Sequence, residues 1–469
     1  MARTSPRLAL LALGIALAVP AHAATWHVNN KTGRDTHDGN TPQTAFATIR
    51  KATTSAHTSD TLVLANTGIA YREAIVLSRL GGTPSAPFIV EGNGATITGL
   101  LPIKPAAWQP RDGGLYFFPV PKRPYGFPAL VCRGQRLPAA KAPDAIEPGQ
   151  FLWDKQGILY RPEAGKAIAD TPLEATLIIS GLTVSSSSYI VCRNLISEFH
   201  SNDGFNIHGD CRGITCENIV GRHNGDDGFS IHEAIGSVVR NGHFHHNRWG
   251  IQDVNASRSI FNGITAEHNR ANGVNFVGGY HSLVDSIVRD NAHSQIAISG
   301  DAARHLVGSE HNPMVEATVF LQNVVVTGGP AGLSVARRSR VTAWNCIFTG
   351  CGQGVVVAEG GTCHLAMSII AGCTQRELDS ASKLFFRDHN LYHPGRFRWL
   401  GQAYTPDQWD AFRAAAGHDA NSLLADPLLA DDPTHHPTPA SPALKPRRKI
   451  GPTAPVTGYQ QAGVPAVTR

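Results

Sequence analysis

The sequence predicts an all-β chain wound as a parallel β-solenoid, and three observations point there. The first is a short apolar strand opened by Asn or Ser. It recurs at Asn194, Asn218, Asn262, Ser286, Asn323, Asn345, Ser368 and Asn390, with a weaker copy at Asn241. The successive spacings are 24, 23, 21, 24, 37, 22, 23 and 22 residues. The second is a column in phase with it, Asn224, Asn247, Asn269 and Asn291, spaced 23, 22 and 22 residues. A repeat of that length, with about three short strands in it, is one coil of a solenoid whose rungs stack about 4.8 Å apart. Equivalent residues then form columns, and an asparagine column hydrogen-bonds along the stack. The third is composition: 47 Gly and 30 Pro in 469 residues mark many turns, without a collagen period.

Charge and hydropathy exclude other classes. Apolar residues are 42% and charged residues 16%, which supports a large core and argues against disorder. The net charge of +5 suits an acidic partner and is too mild to indicate nucleic acid. The long apolar run is N-terminal. Arginines precede Leu8 to Val19, and Ala21-His22-Ala23 reads as a cleavage site, so residues 1–23 are expected to be a signal peptide. The remainder is expected to be secreted or periplasmic, free of the membrane after cleavage, and a monomer.

The flanks carry a resemblance. Trp26-His27-Val28, Asp38-Gly39, Phe46-Ala47-Thr48-Ile49 and Tyr71-Arg72-Glu73 resemble the opening segment of secreted right-handed parallel β-helix proteins of the pectate-lyase-like superfamily. Gln408-Trp409, Asn421-Ser422-Leu423 and Asp426-Pro427 resemble their closing segment. The resemblance implies a capping helix at about 45–55 and divides the chain. A cap with the first coils spans 24–103, the regular helix 167–404, and a C-terminal cap and tail 405–469. Between the first two, 104–166 is rich in Pro and aromatics, among them Trp108, Tyr116, Tyr125, Trp153 and Tyr160. It reads as a hairpin excursion packed on the solenoid, with a groove wall as the other reading. Cys192 and Cys216 sit one rung apart, as do Cys351 and Cys373. Each pair is either a disulfide or two stacked thiols.

Two consecutive rungs carry nearly one phrase, Asn202-Asp203-Gly204-Phe205-Asn206-Ile207-His208 and Asp226-Asp227-Gly228-Phe229-Ser230-Ile231-His232. Phe and Ile alternate with polar residues, so the rings face the core. Asp203 and Asp227 are 24 apart and stack, with Asp226 beside them. Three carboxylates in one rung's height repel unless a cation, a shared proton or backbone N–H groups compensate them. In the next rung Arg248-Trp249 occupies the same columns. A tryptophan without a core slot there suits the face of a sugar. His208 and His232 form a further column, and Arg270 and His281 follow within two rungs.

The aspartate phrase resembles the calcium cluster of lysine-dependent pectate lyases, which implies Ca²⁺ ligation by Asp203, Asp226 and Asp227. The family's fourth ligand position is Ser230 here, and no lysine lies between Lys166 and Lys383. The expectation is therefore a lyase that cleaves an acidic polysaccharide by Ca²⁺-assisted β-elimination. Arg248, ahead of His232, would be the base, and Trp249, His208, Arg270 and His281 would be substrate contacts. Alternatives are an inverting glycoside hydrolase on the same aspartates, as in polygalacturonases, and a glycan-binding solenoid without activity.

Overall fold

A computed structural model describes residues 23–300, 316–445, 449–452 and 454–460. The expected signal peptide, but for its last residue, lies outside them, as do residues 301–315 of the long spacing between Ser286 and Asn323. Among the described residues no helix is long and apolar enough to cross a membrane.

The described chain is a parallel β-solenoid. One face is a twelve-stranded sheet that runs through Ile75–Ser78, Leu182–Ser185, Phe205–His208, Asp227–His232, Trp249–Val254 and on to Gln402–Tyr404. The other faces share a seventeen-stranded sheet built from long strands such as Ser188–Glu198, Arg212–Arg222 and Ile235–His245. Those strands bend midway because one residue in each takes a left-handed conformation: Asn194, Asn218 and Asn241, at φ of 56°, 53° and 54°. Asparagine tolerates that region, and here it also joins rung to rung. The Asn218 amide donates to Asn194 at 3.1 Å, and Asn241 to Asn218 at 2.7 Å.

The second asparagine column stacks as the spacing predicts. The Nδ2 of Asn224, Asn247 and Asn269 each donates to the Oδ1 of the next member, at 3.0, 3.3 and 2.8 Å. Backbone N–H groups of Asn224, Asn247 and Asn269 use the same acceptors. The ladder thus satisfies buried polar groups at a turn where no sheet reaches them. Inside, Phe205, Phe229, Phe244, Phe261 and Phe276 are buried in one continuous core.

The N-terminal helix is shorter than expected, Ile49–Ser55, capped by Thr48, whose hydroxyl accepts from Lys51 N. Residues 45–48 cannot join it because Phe46 already exchanges backbone hydrogen bonds with His27 and Asn29. At the other end the helix Trp409–Ala416 closes the last rung, with Phe412 stacked on Phe397 at 4.2 Å. All eight cysteines are free thiols, and Cys192 and Cys216 are register partners inside the core.

The excursion interrupts the chain but not the stack. Phe88–Thr98 pairs in parallel with Ser188–Glu198 directly, with a register shift between Arg193 and Leu195. The chain leaves at Gly99 and returns at Leu177, and the Gly99 carbonyl accepts from Leu177 N and Ile178 N at 3.0 and 3.3 Å. Within the excursion Leu115–Pro119 pairs antiparallel with Gly157–Tyr160, with three strands between them along the chain. The pair is part of a larger unit of two four-stranded sheets around Trp108, Leu130, Phe151, Ile158 and Tyr160, which extends beyond 104–166 at both ends.

Candidate active site

Each strand of the twelve-stranded face is entered from a turn, and two of those turns carry the aspartates. Gly204 and Gly228 follow them because the asparagine ladder leaves no space for a side chain. A Cβ on Gly228 would lie 2.7 Å from both the Asn247 amide and the Gly250 carbonyl. The Asp-Gly pairs therefore reflect close packing rather than turn flexibility.

Asp203, Asp226 and Asp227 converge, with a carboxylate oxygen of each within 4.8 Å of the others. Asp203 and Asp227 are 3% and 2% exposed, while Asp226 is half-buried. Asp203 Oδ1 accepts from Asp227 N at 3.1 Å, and its Oδ2 accepts from the Asn202 amide at 2.7 Å. Asp227 Oδ1 is buried without a hydrogen-bond partner. Burial pushes the carboxyls of Asp203 and Asp227 well above the usual range, and the neighbouring carboxylates push them further. Burial raises Asp226 as well, against the opposing pull of Arg248 and Arg270. A set of oxygen donors with one orphaned buried atom fits a hard cation such as Ca²⁺.

Beside the cluster runs a groove of about 850 Å³ between the excursion and the rungs. Its walls include Arg123, Arg136, Trp153, Arg248, Trp249 and Arg270. The excursion is fastened here by the Phe127 N–H, which donates to the Ser201 carbonyl at 2.6 Å, and by the Ser201 hydroxyl, which donates to the Tyr125 carbonyl at 2.8 Å. It is a groove wall as well as a packed unit. Arg248 donates to Asp226 at 3.2 Å and lies over the rings of Phe127 and Trp249, 4.5 and 5.1 Å from their centroids. Arg270 donates to the carbonyls of Gly225 and Asn224 at 2.9 and 3.3 Å, on the turn that precedes Asp226. Arg136 donates to the His223 carbonyl at 2.6 Å, and burial, with Arg270 nearby, lowers its guanidinium to about 9.

The register places Trp249 opposite Asp227 and Ile251 opposite Phe229, as the repeat phrase predicts. Of the residues expected at the site, Asp203, Asp226, Asp227, Arg248, Trp249 and Arg270 come together. His208 and His232 close their strands instead. His232 lies five positions after Asp227, about 16 Å along an extended chain. His232 meets Ser230, at 3.2 Å. The expectation that His281 touches substrate is corrected by its burial. Its side chain has no exposed surface, bonds to Ser259 and the Gly278 carbonyl at 2.8 and 2.5 Å, and stacks on Phe276 at 4.5 Å. Arg136, Arg123 and Phe127 were not foreseen. The Pro- and aromatic-rich stretch signalled an excursion, but nothing in it said which side chains would turn toward the rungs.

No protein-family model matches the chain, and no curated protein matches it. Solved structures do. XylC, solved in complex with xylose, is 12% identical over 87% of each chain, with a TM-score of 0.58. The pectate lyase Pel9A is 12% identical over 77% of this chain and 79% of its own, at 0.44. The A-module of the Azotobacter vinelandii mannuronan C-5 epimerase AlgE4 is 12% identical over 79% and 85%, at 0.37. At such identities the likeness is one of fold, and the fold is the parallel β-helix.

Proposed function

We propose that this chain is an exported lyase that cleaves a uronate-containing polysaccharide by β-elimination, with Ca²⁺ held by Asp203, Asp226 and Asp227. The observation that carries the reading is the convergence of three carboxylates, two of them buried, beside an arginine-lined groove. Bound calcium would neutralise a uronate carboxylate and acidify the neighbouring C–H. Arg270 and Arg136 provide positive charge along the groove for further carboxylates of the chain, and Trp249 offers a ring for a sugar face. Arg248, beside Asp226 and lining the groove, would be the base. Its guanidinium donates to Asp226 in the free protein. To act as the base, Arg248 would first release a proton to water and would then take the proton from the carbon next to the carboxylate. The electron pair forms the ring double bond, and the glycosidic oxygen one carbon further leaves, protonated by water.

An inverting hydrolase on the same aspartates fits less well. Its two carboxyl groups need about 6.5–9.5 Å between them to admit water, whereas these oxygens lie within 4.8 Å. The test is a panel of pectate, alginate, glycosaminoglycan and bacterial exopolysaccharides, read for ultraviolet absorbance and for reducing ends. A lyase gives both signals and loses them in chelator. Reducing ends without absorbance would make the chain a hydrolase, and binding without either signal would make it a non-catalytic solenoid.

A further inference from the structure

A second group of side chains with metal-binding spacing lies outside the groove. The strands Arg212–Arg222 and Ile235–His245 end in a sharp bend, at which one residue per rung is left-handed. Those residues are Phe199, His223, His246 and His268, at φ of 55°, 56°, 57° and 53°. Their rings form a row. Phe199 stacks on His223 at 4.9 Å, His223 meets His246 at 4.9 Å, and His246 meets His268 at 5.4 Å. His245 ends its strand beside this row, packs on His243 at 4.3 Å, and turns its Nδ1 to 2.8 Å from the Nδ1 of His246. One ring nitrogen from each of His223, His245 and His246 thus lies within 4.8 Å of the others.

We propose that His223, His245 and His246 form a site for a divalent transition metal of borderline softness, such as zinc. Three imidazoles favour zinc, nickel or copper over calcium, because their nitrogens are softer donors than carboxylate oxygens. Tetrahedral zinc with Zn–N bonds of about 2.0–2.1 Å sets its donors roughly 3.3 Å apart. The His245 and His246 nitrogens are already 2.8 Å apart, and all three lie within 4.8 Å. Three protein ligands leave a fourth position for water or a ligand. The site is joined to the groove through the backbone. Arg136 and Arg270, which line the groove, donate to the carbonyls of His223 and His246 at 2.6 and 3.2 Å. A metal there would fix the turn that holds both arginines.

The two sites differ in donor chemistry, so one protein can test them separately. Tag-free full-length protein, saturated with calcium, is titrated with zinc by calorimetry, and a parallel cobalt titration is followed by its visible spectrum. The expected result is one zinc equivalent with a cobalt band of nitrogen coordination. His223→Asn and His246→Asn keep a residue suited to the left-handed bend. Each should weaken zinc binding at least about tenfold, the loss that follows even from removing an outer-shell partner. Asp227→Asn should leave zinc binding unchanged. Absence of zinc uptake by the wild-type protein at micromolar concentration overturns the proposal, as does undiminished uptake by both histidine variants.

Discussion

Replacing Asp227 by Asn tests the aspartate cluster most directly, because its effect on stability should change sign with calcium. In the metal-free protein Asp227 is buried within 4.8 Å of two other carboxylates. At an effective dielectric of about 20, two unit charges at that distance repel by about 3.5 kcal/mol. Partial protonation reduces this, so Asp227→Asn should stabilise the metal-free protein by about 1–3 kcal/mol at pH 8. For a chain of this length that is roughly 1–3 °C in Tm. The pH dependence follows from the direction of the shift. Asp203 and Asp227 have folded-state values raised well above the usual 3.8. The folded state therefore binds these protons more tightly than the unfolded state. Stability from this source is full below about pH 4 and is lost as pH rises through the raised values. The gap between variant and wild type should be absent at pH 4 and open toward pH 8. Calcium at 1,000 times its dissociation constant adds about 4.1 kcal/mol to the wild type and nothing to a variant that cannot bind it. The order of stability should then reverse. Scanning fluorimetry in chelator and in calcium across pH 4–8 measures all of this. A variant less stable than wild type in chelator at pH 8, or one equally stabilised by calcium, would refute the reasoning.

Other variants separate roles within the groove. Arg248→Lys should lower kcat by at least about a hundredfold with little change in KM or Tm, since an ammonium does not reproduce the placed guanidinium; a changed Tm with turnover kept would make Arg248 only the partner of Asp226. Trp249→Ala should raise KM for the polysaccharide several-fold and leave kcat nearly unchanged if its ring carries a sugar; an unchanged KM would remove Trp249 from the substrate path. His232→Ala, at the far end of its strand, should keep wild-type kcat, and an inactive His232 variant would move the base to that end. Asn247→Ala leaves the Asn224 N–H and amide without their acceptor, so unfolding experiments should show a loss of about 2–4 kcal/mol; a loss below 1 kcal/mol would show that the ladder adds little.

The columns were legible because stacking forces a fixed repeat on the sequence, and the core phenylalanines and the ladder Asn224 to Asn291 lie where that repeat puts them. The strand marker was legible only to within one residue. Asn194, Asn218, Asn241, Asn323 and Asn345 take the left-handed bend, whereas Ser286, Ser368 and Asn390 stand one place after it, behind Asp285, Met367 and His389, and Asn262 stands one place before it, ahead of Gly263. Both columns favour small polar residues, one for its backbone and the next for capping. The Ser286 hydroxyl, for example, accepts from Ile264 N at 3.0 Å, and the two blur in sequence. Within the site, the aspartates, Arg248 and Trp249 could be read because they obey the repeat. His281 misled because a core position and a groove position share one spacing. Arg123, Arg136 and Phe127 could not be read at all, since they reach the rungs from an excursion that has no period. That difference leads to a test of the architecture itself. The excursion's ends meet at the Gly99 carbonyl, and the strands on either side of it pair directly. Excising residues 100–176 and joining Gly99 to Leu177 through a short glycine linker should therefore leave a folded solenoid. Its β-sheet circular dichroism should persist, and the calcium-dependent Tm shift should remain because Asp203, Asp226 and Asp227 all lie on rungs. Polysaccharide binding should fall by at least about tenfold, because one wall of the groove and two of its arginines are gone. A chain that no longer folds would show that the excursion completes the solenoid core, and undiminished binding would place the substrate on another face.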